Sequence, residues 1–72
     1  MTYELTDQEK IDILNQHLKN LEYSAFNLSV SVIEEEAANT PNTASITSLN
    51  TQIAEVNAKK TALLAELTEL QA

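Results

Sequence analysis

The sequence has no cysteine, glycine, tryptophan or arginine, and only one proline and one histidine among its 72 residues. Each absence removes a class of protein. Without cysteine there is no disulfide and no thiolate metal site, and a single imidazole, His17, leaves no His-rich site either. A cysteine-free chain also suits a reducing compartment. Without glycine no Gly-rich phosphate loop can form. Turns that need positive φ then have no cheap residue beyond asparagine, which argues against a sheet built from several hairpins. Without arginine the bidentate recognition of phosphate or guanine is missing. No run of eighteen apolar residues is present, so no transmembrane span is expected. The opening MTYELTDQEK lacks the basic and apolar segments of a signal peptide. The expectation is a soluble, cytoplasmic protein.

Positive charge is also scarce. Four lysines stand against eleven acids, for a net charge of −7. Residues 1–38 hold eight of those acids with Lys10 and Lys19, and residues 39–72 hold three with Lys59 and Lys60. Nucleic-acid binding needs cations that displace counterions from phosphates, and anionic membranes need the same. Neither partner is expected. Catalytic readings fail on inventory, because one histidine and no cysteine supply no credible nucleophile–base set. No enzyme, no cofactor and no metal is expected.

What the chain does contain is periodicity. Ile11, Leu14, Leu18, Leu21, Ala25, Leu28 and Val32 recur at strictly alternating spacings of three and four. Ile46, Leu49, Ile53, Val56, Lys60, Leu63, Leu67 and Leu70 do so again. This is the mark of helices burying one narrow seam each. Thr6-Asp7-Gln8-Glu9 reads as a capping box, with Asp7 favourable at the positive end of the helix dipole. It places the first helix at 7–38, after a short extended arm at residues 1–5. Thr40-Pro41 reads as a second start, since proline at the first helical position loses no hydrogen bond, and it disfavours helical geometry at Thr40. That gives a link at 39–40 and a second helix at 41–71, with Asn42 or Ser45 as alternative starts. Two matched helices with a tight link fold back on each other. Pairing residues whose numbers sum to 81 sets every first-helix seam residue from Ile11 to Val32 against one in the second. The expected fold class is all-α, an antiparallel two-helix coiled-coil hairpin forming one domain over 1–72. One continuous helix in a parallel oligomer is the competing architecture, and the Asn-Thr-Pro-Asn break opposes it.

Some residues sit outside the simple pattern. Lys60 occupies the seam opposite Leu21. Its stem can pack while its ammonium reaches water, or it can fix the register as a lone polar seam residue. Glu34-Glu35-Glu36 closes the first helix where the dipole disfavours anions. It reads as a solvated run, or alternatively as a contact for a basic partner or a weak cation site. His17 reads as a rim residue near Glu66. Tyr23, Phe26, Val30 and Ile33 form a second apolar stripe that points away from the seam. Ala54, Ala58, Ala62 and Ala65 give the second helix a small-residue counterpart. Monomers seldom expose large apolar patches, so the four stripe residues are the candidate protein interface. A chain this short is marginal alone and is usually supported by disulfides, metals or oligomerisation, of which only the last is open here. A dimer of hairpins, with Phe26 against the neighbour's alanine stripe, would make a four-helix bundle.

The opening stretch MTYELTDQEKIDILNQHLKNLEYSAFNLSVSVIEEEA, followed by a TP-initiated helix ending in AELTEL, resembles a group of short proteins encoded by marine, cyanobacteria-infecting, contractile-tailed phages. The resemblance spans most of the chain. It implies a viral or marine origin and, because the group has no assigned activity, carries over no functional residues. The expected function is that of a non-enzymatic structural or assembly protein, a homo-oligomer acting in the host cytoplasm or on the virion. The alternative is an acidic binding module, an adaptor or inhibitor that grips a host or viral protein through the same stripe.

Overall fold

The structure, a computed structural model, describes residues 4–72. It consists of two helices, α1 (Asp7–Glu36) and α2 (Thr43–Gln71), packed against each other as a helical hairpin. Of the arm expected at 1–5, Glu4 and Leu5 are non-helical, and residues 1–3 lie outside the described residues. Helices of 30 and 29 residues rise about 45 Å each, and the hairpin is a rod of 59 × 20 × 17 Å.

The start of α1 follows from four residues. The Glu9 N–H donates to the Thr6 hydroxyl at 3.1 Å, and the Thr6 N–H donates to the Glu9 carboxylate at 2.9 Å. Two backbone donors that the first turn leaves unpaired are thereby satisfied. Many interior positions carry Ser or Thr, which compete with helical hydrogen bonding. Several resolve the competition by bonding back one turn: Ser31 to the Asn27 carbonyl, Thr51 to that of Thr47, Thr61 to that of Asn57 and Thr68 to that of Leu64.

The inner ends differ from expectation. The first helix stops at Glu36 rather than 38, and the second starts at Thr43 rather than Pro41. The link is therefore six residues long, Ala37–Asn42, not two. The Asn42 side chain, not that of Thr40, supplies the acceptor for the first free N–H groups of α2. Pro41 falls outside α2, and Asn42 caps it by accepting the Ser45 N–H at 3.1 Å. No described residue adopts positive φ, so the turn is built without the conformation that a glycine-free chain can least supply.

All fifteen residues of the two expected seams are half-buried, and none of the described residues is fully buried. Glu22 on α1 pairs with Lys60 on α2, and their numbers add to within one of the expected 81. A two-helix seam covers one stripe per helix, and each seam side chain keeps an open flank.

Candidate functional site

The stripe on α1 remains uncovered in the hairpin. Tyr23 is 65% exposed, Phe26 70% and Ile33 65%. Val30, a short side chain one turn from both Phe26 and Ile33, is half-buried. The spacings of three, four and three align all four residues along one side of α1, over about 15 Å of helix. Helical periodicity extends the side toward the N-terminus through Lys19 and Asp12, seven and fourteen residues before Phe26. The stripe is thus apolar in the half nearest the link and charged in the other half. Ala54, Ala58, Ala62 and Ala65 are all exposed.

The whole molecule shows the same excess of surface. A compact monomer of 8.0 kDa exposes about 4,450 Å². This hairpin exposes 5546 Å², about 1,100 Å² more. A standard protein interface buries about 800 Å² on each partner, so the excess is of the size that one partner covers.

Charged groups decorate this frame unevenly. Lys60, a seam residue with a side chain 22% exposed, bends out to pair with Glu22, which is 64% exposed. Both expectations for Lys60 had its ammonium leaving the seam or setting the register. The structure adds an acidic partner on the opposite helix. Glu35 departs from the solvated run expected at Glu34–Glu36: it is half-buried and accepts the Asn42 N–H at 3.1 Å. The signal was present in the heptads, because Glu35 lies three residues beyond Val32 and faces Ile46 in the same register. It is the last rung of the seam, and its carboxylate ties the end of α1 to the start of α2. Glu34 and Glu36 are exposed, and the last turn of α1 holds no basic residue.

His17 is exposed and lines an open groove of about 370 Å³ with Lys59 and Ala62. Glu66 lines a separate groove with Lys10 and Leu14. Among the described residues no three His, Cys, Asp or Glu side chains converge as a metal ion requires. None of the described helices is long and apolar enough to cross a membrane. At the start of α1 the Glu9 carboxyl is held below the usual glutamate range, first by the Thr6 backbone N–H and then by the Thr6 hydroxyl. This group belongs to the cap, not to a site.

No family model, curated protein or solved structure matches the chain.

Proposed function

We propose that the protein is a non-enzymatic assembly element, a coiled-coil hairpin that self-associates through Tyr23, Phe26, Val30 and Ile33. One observation carries the reading. The hairpin leaves every described residue at least partly exposed, and its three most exposed large apolar side chains lie together on one side of α1. Burying apolar surface is the main favourable term in folding and association, and this chain has unused apolar surface where a partner can reach it. Sedimentation equilibrium of the wild type and of Phe26→Ser tests the reading. A homo-oligomer that dissociates on the substitution supports it. A monomer at tens of micromolar, or an oligomer indifferent to the substitution, refutes it.

The exposed Glu34 and Glu36, with no cation in the same turn, favour a second reading: an acidic module that offers the stripe and this end to a basic protein. A monomeric wild type that binds such a protein in a salt-sensitive manner supports that reading over the first.

A further inference from the structure

The charges around the stripe select one way of stacking two copies, an inference that rests on the self-association just proposed. The apolar segment from Tyr23 to Ile33 is centred near Leu28. A two-fold axis through that centre, perpendicular to the rod, runs the two α1 helices antiparallel. It pairs α1 residues whose numbers add to about 56. Ile33 of each copy then meets Tyr23 of the other, and Phe26 meets Val30. The apolar segment is matched to itself with no overhang. A two-fold contact uses one patch on both subunits, so self-complementarity is the condition it must meet.

The same axis matches charge. Glu34–Glu36 lies about 12 Å from the centre in one direction, and Lys19 with Lys60 at about the same distance in the other. Lys60 stands at the level of Glu22, its ion-pair partner. Lys19 lies on the same line of α1 as Phe26 and Ile33, and Glu36 lies on the adjoining line with Glu22. Lys19 and Glu36 are both exposed. In the antiparallel stack each Glu36 therefore arrives beside Lys19 of the other copy and near its Glu22, whose charge Lys60 already balances. A parallel stack sets acidic end on acidic end, which is the arrangement like-charge repulsion selects against. Three features thus agree on the occupant of this face: the length match of the apolar segment, the placement of opposite charges at equal distances, and exposed area in excess by about one partner's share.

We infer that the partner of this face is a second copy of the chain, stacked antiparallel about a two-fold axis between Phe26 and Val30, with each Glu36 seated by the other copy's Lys19. Charge reversal tests the arrangement. Glu36→Lys alone and Lys19→Glu alone each raise the dimer dissociation constant about tenfold, since every dimer contains the contact twice. The two together bring it back to within about threefold of wild type. An independent readout uses the absence of native cysteine. When Tyr23→Cys and Ile33→Cys chains are mixed and oxidised, the crosslink forms between the two variants. Either of two results overturns the inference while leaving self-association standing: a wild-type dimer in which the reversals have no effect or fail to rescue each other, or crosslinks forming within the Ile33→Cys population instead. An alanine-stripe seat for Phe26 gives the first of these. A wild type that is monomeric by light scattering overturns self-association and the arrangement together.

Discussion

Leu28 and Phe26 are two residues apart and point to different sides of α1, and replacing each by alanine separates hairpin stability from assembly. Leu28 is half-buried in the seam. Leucine-to-alanine changes in closed cores cost about 2–5 kcal/mol, and this seam, with no fully buried residue, belongs at the lower end, about 2 kcal/mol. For a chain of this size that lowers the melting temperature by about 8–16 °C. Phe26 is 70% exposed. In the isolated hairpin its removal forfeits less than about 1 kcal/mol of burial, and the better helix propensity of alanine returns up to about 0.5 kcal/mol. In an oligomer that covers Phe26 the same change costs about 3 kcal/mol or more per chain. Circular dichroism melts at low micromolar and at hundredfold higher concentration read both effects. Wild type should melt higher when concentrated, because association stabilises the folded state by mass action. Leu28→Ala should shift the melt down at both concentrations. Phe26→Ala should match wild type when dilute and fall behind it when concentrated. Equal shifts for the two variants in dilute solution, or a wild-type melt independent of concentration, would refute the reasoning.

Three further outcomes follow from the polar contacts. Glu35→Ala should destabilise by about 1 kcal/mol, the lost charged hydrogen bond to Asn42 outweighing the relief of an anion at a helix C-terminus. Glu34→Ala, which breaks no such bond, should be neutral or slightly stabilising in urea unfolding, and equal effects would deny Glu35 its role. Lys60→Leu should stabilise by about 1 kcal/mol, since a leucine fills the seam better than a lysine stem and the exposed Glu22 partner adds little. A loss of stability would instead assign Lys60 to register control. Finally, Glu9 has a carboxyl pKa depressed by folding. Its contribution is therefore fully present above the unfolded glutamate value, about 4.3, and is lost as pH falls through the lower folded value. A carboxyl NMR titration should show Glu9 lower in wild type than in Thr6→Ala. The same Glu9 titration in both proteins would remove the cap from the account.

The candidate surface was legible only in part. Tyr23, Phe26, Val30 and Ile33 stand out as a stripe in any helical reading, but periodicity cannot tell how much of a side chain its own hairpin covers. The structure leaves three of them largely bare and half-buries Val30. Glu35 was hidden by its neighbours, because a run of three glutamates reads as solvated surface until the register assigns its middle member to the seam.

The sequence by itself determined the two helices, both seams, the antiparallel register and the Thr6–Glu9 cap. All of these depend on spacings of three and four residues, which the helix geometry fixes locally, and on one matching rule between the two lists. The tertiary structure alone decided where the helices stop, which group caps the second one, and what Lys60 pairs with. Those outcomes depend on contacts between the packed helices and their link, which no local spacing contains: Asn42 caps α2, Glu35 reaches the Asn42 N–H, and Glu22 reaches Lys60 on α2.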